Sequence, residues 1–351
     1  MNRNGLAVDQ VADTAVPRPQ GWSRREFIKG AAALAGSAGL LGYDLKPAAA
    51  EPPPEIATIR LVHNPFLCEA PQYLAEELLR LEGFSEVEYV EKEITVGATL
   101  LKAADLAIFG GPSLFPVIDT QAVVALAGLH SGCWELFGSA RVHAIRDLKG
   151  KPVAIAAMGS ADHVFLSSIL AYIGVDPRTD VQWVVSGRVA ESMRLFVDGK
   201  VDAFLGFPVQ PQELRRRKIG RVILNTTLDR PWSEYYCCML AANRDFVAAH
   251  PVATKRALRA ILKATDICAR EPERAARFLV AKGYEPRYEV ALEVLKSLPY
   301  DRWRQVDPTD TVRFYAIRLH EVGMIKSTPE TLIAQGTDWR FLNQLKKELK
   351  A

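Results

Sequence analysis

The side chains that could bind a small polar ligand stand where predicted strands end. Asn64 closes the β-branched run at 58–64, and its amide can both donate and accept hydrogen bonds. Gly110, Gly111 and Ser113 lie between an apolar strand and a helix. Backbone N–H groups and the positive end of a helix dipole can hold an anion there. The alternatives are an Asn-Pro turn and a tight turn closed by a serine cap.

A second junction of this kind contains Ser160 and Asp162, with His163 in the first helical turn. Serine and aspartate at these positions are expected to cap the helix, and Ser160 and His163 are also candidates for contact with a ligand. Phe207 follows the strand VDAFLG, and Glu234 precedes the apolar run YYCCMLAA. The residues expected to bind a ligand are Asn64, Phe66, Gly111, Ser113, Ser160, His163, Phe207, Glu234 and Tyr235.

The charges of these candidate residues do not decide whether the ligand is an anion or a cation. Asn64, Ser113, His163 and backbone amides suit an anion, whereas Glu234 would prefer a cationic amine or a hydroxyl group. An amine-bearing or aromatic ligand is therefore as compatible with the sequence as a simple anion.

The cysteines do not form a recognisable metal motif. Their odd number leaves at least one free thiol, and no C-x-x-C pair is present. Adjacent Cys237 and Cys238 would point to opposite faces of an extended strand, so a bond between them is not expected. The default interpretation is that these cysteines are buried structural thiols. A disulfide between Cys133 and one of this adjacent pair is the alternative. His130 is noted only as a histidine at a strand end.

The usual signatures of catalysis are also missing from the sequence. It has no G-x-S-x-G nucleophile elbow, no Gly-rich phosphate loop and no H-E-x-x-H motif. Carboxylates are scattered along predicted helices. We therefore expect no catalytic residue, no cofactor and no metal ligand, and a protein that is not an enzyme.

Strands and helices alternate along most of the chain. A first set of strand–helix units runs to about residue 140, and a second begins with DLKGKPVAI at 147–155. From Asp245 onward the pattern is helical to the end. This order predicts an α/β fold with two lobes in series, each a mostly parallel sheet flanked by helices, and a helical C-terminal tail. Ligands of such sheets bind at the carboxyl ends of the strands.

The N-terminal segment has the three parts of an export signal. SRREFIKG places Arg24 and Arg25 at the spacing of the twin-arginine pattern, and the apolar run at 31–42 is shorter than the 20 or so residues that span a bilayer. Small residues before Glu51 offer a cleavage site near Ala50. We expect a signal peptide at 1–50 and a periplasmic protein. The alternative is a disordered leader with a chance arginine pair.

The twin-arginine route exports folded proteins, so a cofactor loaded in the cytoplasm is one reason to use it. Rapid folding before export is another, and the sequence shows no cofactor site. The net charge is +3 over 351 residues and stays near neutral without the leader, so it gives no footprint for nucleic acid. The one basic run, LRRRKIGR at 214–221, is interpreted as a solvated helix end or turn.

Several segments together resemble a known family. They are IRLVHNPFLCEAPQYLAEE, ADLAIFGGPSLF, DLKGKPVAI, GKVDAFLGFPVQP and NRDFVAAHPVATKRALRAILKA. In this order and spacing the chain resembles the nitrate/sulfonate/taurine family of ABC-transporter substrate-binding proteins, over nearly all of its length beyond the leader.

The resemblance implies a two-lobed periplasmic-binding-protein fold of type II, with two hinge strands. By analogy the chain would cross between lobes near Cys133–Ala140 and Tyr236–Asn243. Lobe one would comprise 56–138 and 240–351, and lobe two 139–239.

The function implied is that of an exported solute-binding protein that closes on a small organic or oxyanion ligand, such as a sulfonate, taurine or nitrate. Its partners would be that solute and, transiently, an ABC permease in the inner membrane, and the protein would be a monomer. One alternative is an enzyme resembling thiamine-pyrimidine synthases, although their richer cysteine run and pyridoxal-phosphate lysine cannot be placed here. The other is a sensor that presents its ligand to a membrane receptor.

Overall fold

The computed structural model describes residues 51–64, 66–91 and 100–349. The expected signal peptide and Pro65 lie outside these ranges. No helix in the described ranges combines the length and apolar character that a membrane span requires.

Ten strands of the described residues build two five-stranded sheets. In chain order they are β1 (Thr58–His63), β2 (Glu86–Glu91), β3 (Leu106–Gly110), β4 (Val123–Ser131), β5 (Glu135–Gly138), β6 (Pro152–Ile155), β7 (Gln182–Val185), β8 (Ala203–Gly206), β9 (Arg221–Asn225) and β10 (Tyr236–Asn243).

Helices flank both sheets and form the C-terminal region. They are α1 (Ala70–Leu81), α2 (Leu100–Ala103), α3 (Leu114–Thr120), α4 (Ala161–Tyr172), α5 (Val189–Val197), α6 (Gln210–Arg217), α7 (Arg244–Ala249), α8 (Pro251–Arg270), α9 (Pro272–Ala281), α10 (Tyr288–Ser297), α11 (Pro308–Glu321), α12 (Pro329–Gly336) and α13 (Arg340–Glu348).

The two sheets share one topology. The first has the order β2-β1-β3-β10-β4 and the second β7-β6-β8-β5-β9. In each, two parallel pairings are followed by two antiparallel ones, because the fourth strand runs against the other four. The predicted α/β fold with two mostly parallel sheets is confirmed, and so is the helical C-terminal region.

The chain changes sheet at 132–134 and returns at 226–235, since β5 pairs in the second sheet and β10 in the first. The first crossing overlaps the start of the range expected from the sequence, and the second lies before its range. Residues 135–138 were assigned to lobe one but pair in the second sheet. Likewise, 236–239 were assigned to lobe two but pair in the first. The reason is that each hinge strand belongs wholly to the sheet it enters. The lobe boundaries themselves stay a prediction.

The two crossings touch each other. Gly132 has φ +63°, and a Cβ there would lie 2.3 Å from Cα of Thr227, so only glycine fits. The Thr226 hydroxyl accepts hydrogen bonds from the backbone N–H groups of Cys133 and Trp134, at 3.2 and 3.0 Å. The two crossings therefore form one hydrogen-bonded hinge.

The basic run ends α6, as the sequence predicted. Arg215, Arg216 and Arg217 occupy its last turn, and Lys218 has the left-handed conformation that ends a helix. Arg215 and Arg216 both form salt bridges with Glu293, so part of the positive charge of the run is neutralised.

The C-terminal helices contact both halves of the fold. Helix α8 packs on α1 of the first half, whereas α11 packs on α4 of the second. Phe314 of α11 stacks on Tyr235 with ring centroids 4.0 Å apart and planes 12° from parallel. Tyr315 meets Phe165 of α4 edge-on at 5.7 Å. Movement of the second half therefore has to carry α11 with it or break these contacts.

Candidate functional site

A small enclosed cavity lies between the two sheets. Its volume is about 40 Å³, which is room for about three water molecules. The walls come from strand ends of both sheets, from the start of α4 and from the first crossing. The lining residues are Asn64, Phe66, Cys68, Glu69, Ile108, Phe109, Gly110, Ser113, Trp134, Ala161, Phe207 and Cys238.

Asn64 brings an unsatisfied acceptor to this cavity. Its side-chain Nδ2 donates to Glu69 Oε2 at 2.9 Å and to the carbonyl oxygen of Ile108 at 3.3 Å. These two acceptors fix the orientation of the amide. Oδ1 is buried and has no hydrogen-bond partner among the described residues. Because an unpaired buried acceptor is costly, Asn64 is poised to receive a donor from a ligand or a water.

Three aromatic rings close the cavity. Phe66 follows β1 and Phe207 follows β8, and their rings meet edge-on with centroids 4.4 Å apart. Trp134, in the first crossing, lies 5.1 Å from Phe207. Its Nε1–H is buried without an acceptor among the described residues. Phe66 follows a strand of the first sheet and Phe207 a strand of the second, so a ligand larger than a few waters would have to separate these rings.

The cavity wall is acidic rather than basic. Glu69 lies in the 3-10 turn Leu67–Glu69, is 2% exposed, and accepts hydrogen bonds from the Asn64 and Gln72 amides. No lysine, arginine or histidine belongs to the described lining. A buried carboxylate next to aromatic rings repels an anion and attracts a cationic or donor group.

The Gly111–Ser113 junction is a tight turn whose serine lines the cavity. Gly111 has φ +48°, a conformation that favours glycine, and it does not itself line the cavity. The Ser113 hydroxyl donates to the carbonyl oxygen of Gly110 at 2.5 Å. Its oxygen can still accept a hydrogen bond from a ligand.

The matching junction in the second half forms an internal network. Ser160 Oγ donates to the carbonyl of Ala157 and contacts Asp162, and Asp162 Oδ2 accepts from the N–H of Ala156 at 2.8 Å. Burial raises the pKa of Asp162, although these hydrogen bonds oppose it. Ser160 occupies the N-cap position of α4, but its side chain makes no capping hydrogen bond. A turn network replaces the expected side-chain cap, and Ala161 rather than Ser160 lines the cavity.

His163 is held away from the cavity lining. Its Nδ1 accepts the Gly159 N–H at 2.9 Å, and its ring meets Trp183 edge-on at 4.9 Å. Burial lowers the pKa of His163 to about 4, so the ring is neutral at pH 7 and offers no positive charge.

Glu234 and Tyr235 also lie outside the lining. Glu234 is partly exposed and pairs with Arg230 at 3.2 Å, and Tyr235 stacks on Phe314. Of the nine residues expected from the sequence, the structure brings Asn64, Phe66, Ser113 and Phe207 together around the cavity.

Neither Glu69 nor Trp134 was among the residues expected from the sequence. Glu69 could have been found from its place one residue before the helix that follows Asn64. Trp134 had no comparable signal, because its role depends on where the chain leaves the first sheet.

Two thiols, Cys68 and Cys238, also form part of the wall. They belong to a buried group with His130 and Cys133 whose side-chain nitrogen and sulfur atoms all lie within 4.8 Å of one another. Such a group could hold a metal ion.

Comparisons with solved structures establish the fold. The periplasmic nitrate-binding protein NrtA from Synechocystis PCC 6803 matches with a TM-score of 0.70 and 16% identity, over 85% of this chain and 90% of that one. The alkanesulfonate-binding protein SsuA from Xanthomonas axonopodis pv. citri, bound to MOPS, matches with a TM-score of 0.63 and 18% identity, over 83% and 100%. The desulfurization enzyme DSZB matches with a TM-score of 0.57 and 15% identity, over 84% and 100%.

At these identities the likeness concerns the fold alone, which binding proteins and at least one enzyme share. No curated protein matches the chain. The sequence matches the family described as NMT1/THI5 like over residues 86–275, more than half of its length. The chain therefore belongs to the NMT1/THI5-like family.

Proposed function

We propose that this protein is an exported solute-binding protein of an ABC importer, which captures a small organic or oxyanion ligand between its two halves by hinge closure. The observation that supports it is the enclosed cavity at the strand ends, where Phe66 from one half meets Phe207 from the other. Enclosure of a small ligand by two lobes around a hinge is a common mode of domain closure.

The polarity of the cavity narrows the ligand class. Among sulfonates, taurine and nitrate, an amine-bearing sulfonate such as taurine suits it best. Its ammonium group can approach Glu69 and Asn64 Oδ1, and its sulfonate can accept the Trp134 Nε1–H. Nitrate offers no donor to either acceptor, so we rank it lower.

Four of the expected residues carry this proposal directly: Asn64, Phe66, Ser113 and Phe207. Of the other five, Ser160 and His163 would brace the turn before Ala161. Gly111 shapes the turn before Ser113, whereas Tyr235 stacks on α11 and Glu234 pairs with Arg230, away from the lining. The periplasmic location, the twin-arginine route with cleavage near Ala50, the monomeric state and docking to a permease are parts of the same proposal.

An enzyme related to thiamine-pyrimidine synthases is the second candidate. The observation that favours it is the presence of the Cys68 and Cys238 thiols in the cavity wall, together with the family description and the DSZB fold. Against it, no lysine belongs to the described lining, so the Schiff base expected of that chemistry has no partner there.

The first test is native mass spectrometry of the protein purified from the periplasmic fraction. A bound small mass that is lost on denaturation supports a carrier. Titration with taurine, alkanesulfonates, nitrate, amines and aromatic acids, followed by small-angle scattering, should show ligand-dependent compaction. Absence of both binding and compaction across this panel contradicts the proposal, and a chemically altered ligand supports the enzyme.

A matched pair of tryptophans tests the site itself. Trp134 and Trp232 are each 5% exposed, and each has an Nε1–H without an acceptor among the described residues, but only Trp134 lines the cavity. Trp134→Phe should weaken ligand binding roughly tenfold, the value of one lost hydrogen bond. Trp232→Phe should leave affinity unchanged, and equal effects of the two variants would exclude this cavity as the site.

A further inference from the structure

Four potential metal ligands converge beneath the cavity. Cys68 lies in the turn after β1, His130 near the end of β4, Cys133 in the first crossing and Cys238 in β10. All four are at most 5% exposed, and their ligand atoms lie within 4.8 Å of one another. Sites of three cysteines and one histidine are a standard tetrahedral set for zinc.

The spacing already approaches that of a metal centre. Zinc–sulfur bonds of about 2.3 Å in a tetrahedron place neighbouring sulfurs about 3.8 Å apart. The Sγ atoms of Cys68 and Cys238 are 3.9 Å apart. The widest separation in the group exceeds the ideal by about 1 Å, which side-chain rotation can close.

His130 is oriented as a ligand. Its Nδ1 lies 2.9 Å from the carbonyl oxygen of Gly132, so Nδ1 carries the proton and donates. Nε2 is then the acceptor, and it is buried without a hydrogen-bond partner among the described residues. Metal-binding histidines typically donate the other ring N–H to a carbonyl or carboxylate in this way. Without a metal ion, the only described neighbours that can donate to His130 are the Cys68 and Cys238 thiols, which are weak donors.

The backbone also directs the ligands inward. Tyr236 lies opposite Ser131 and Cys238 opposite His130, so Cys237 is the extra residue of a β-bulge. Bulges change the direction of neighbouring side chains. The Tyr300 hydroxyl donates to the carbonyl of Cys68 at 3.0 Å and fixes the turn that carries this cysteine.

Cys237 could compete with a metal ion for the thiol of Cys133. Its Sγ lies 2.8 Å from Sγ of Cys133, although all five cysteines are free thiols in this structure. A Cys133–Cys237 disulfide would remove Cys133 from the ligand set. The two outcomes exclude each other and can be measured separately.

We propose that Cys68, His130, Cys133 and Cys238 bind one thiophilic metal ion, with zinc as the first candidate. Three thiolates and an imidazole complete a closed site of the structural type. This departs from the expectation of no metal that the sequence alone gave. It does not rest on the proposed transport function.

The position of the site gives it a role. Cys133 belongs to the first crossing, and Cys238 lies in β10 just beyond the second. The ion would therefore link both crossings to Cys68 after β1 and to His130 in β4. A buried ion has to enter while the chain folds. Export of the folded protein by the expected twin-arginine route would allow loading in the cytoplasm, where thiols stay reduced.

Metal content is the direct test. The full chain, expressed with Zn(II) supplied and purified anaerobically without chelators, should contain about one equivalent of a thiophilic metal by elemental mass spectrometry. Cys68→Ser and Cys238→Ser should retain less than a tenth of it. Cys268→Ser is the matched control, because Cys268 is fully buried in α8 but outside the group, and it should retain the metal. Cys237→Ser should also retain it.

A second measurement does not depend on variants that fold poorly. Unaltered protein, unfolded with a chelator and refolded with Co(II), should develop the visible absorption of tetrahedral cobalt–thiolate coordination. The identity of the native element separates zinc from copper or iron. No metal and no cobalt signal, a Cys133–Cys237 disulfide in most molecules, or a multinuclear cluster with acid-labile sulfide would each overturn the proposal.

Discussion

The cavity shares a wall with the buried set of Cys68, His130, Cys133 and Cys238, which we call the thiol group. The two sites differ in which parts of the fold supply their residues. The cavity takes Phe66 from one half and Phe207 from the other, so its walls would separate if the two halves moved apart. The thiol group takes its members from two strands of the first sheet, from the turn after β1 and from the crossing that leaves this sheet. Cys68 and Cys238 belong to both.

This difference suggests a division of roles. A site whose walls separate can exchange a ligand, whereas a site whose ligands stay together can hold an ion through every cycle of closure. The hinge lies between them, where Gly132 touches Thr227 and Thr226 accepts hydrogen bonds from the other crossing. On this view the four residues of the thiol group would keep their positions relative to one another, while the two walls of the cavity would move apart and together.

The largest expected effect is the loss of stability without metal. A ligand at about 1,000 times its dissociation constant stabilises the folded state by about 4 kcal/mol. For a chain of this size the melting temperature should then fall by on the order of 10 °C when the metal is removed. Circular dichroism melts of the unaltered protein, with Zn(II) and with a chelator, measure this shift.

Two variants separate the metal effect from general damage. Cys268→Ser should keep the full difference between the two melts, even if both temperatures fall. Cys133→Ser should abolish the difference. Identical melts of the unaltered protein with and without metal would show that the thiol group is only core packing.

The next effect concerns His163, which lies behind the second-half wall of the cavity and not in its lining. Burial lowers the pKa of His163 to about 4 from an ordinary value of 6.5. Between these values the unfolded chain binds more protons than the folded one, so stability falls as the pH drops. From pH 7 to pH 5 the free energy of unfolding should decrease by about 1 to 2 kcal/mol, as measured by urea unfolding.

His163→Gln provides the comparison, since glutamine cannot titrate but can still accept the Gly159 N–H. The variant should lose less stability than the unaltered protein over the same pH interval, whatever its stability at pH 7. Protonation elsewhere, including at His130, affects both proteins alike and cancels in the difference. Equal pH slopes for the two proteins would place the titrating group elsewhere.

Much of the fold could be predicted because its signals are local. Apolar runs such as those of β3 and β10, glycine stops such as Gly174 after α4, and the restart of the strand–helix pattern at 147 each depend on a few neighbouring residues. Residues 135–138 and 236–239 were assigned to the half that does not contain their pairing partners, because the apolar runs of β5 and β10 do not reveal the sheet to which they belong. Pairing partners decide that, and they are distant in sequence.

The candidate site divides along the same line. Asn64, Phe66, Ser113 and Phe207 follow strand ends, a position that can be read from the sequence, and they reach the cavity. The thiol group could not be assembled in this way, because Cys68 and Cys238 are 170 positions apart and their meeting depends on the bulge at Cys237. Only His130 and Cys133, spaced as H-x-x-C, gave a local hint, and it was passed over.

The smallest expected effects come from two serines that occupy equivalent turns, one in each half. Ser113 lines the cavity and uses its hydroxyl proton on Gly110, leaving its oxygen free to accept from a ligand. Ser160 lies behind the lining, where its oxygen accepts from Ala157 N–H and contacts Asp162.

Ser113→Ala should weaken ligand binding several-fold and change stability by less than about 0.5 kcal/mol. Ser160→Ala should do the reverse: loss of the hydrogen bonds to Ala157 and Asp162 should lower the free energy of unfolding by about 1 kcal/mol while leaving affinity unchanged. Isothermal titration and urea unfolding of both variants give the four values. If Ser160→Ala weakens binding as much as Ser113→Ala, both turns contact the ligand and the cavity in use is larger than the closed one.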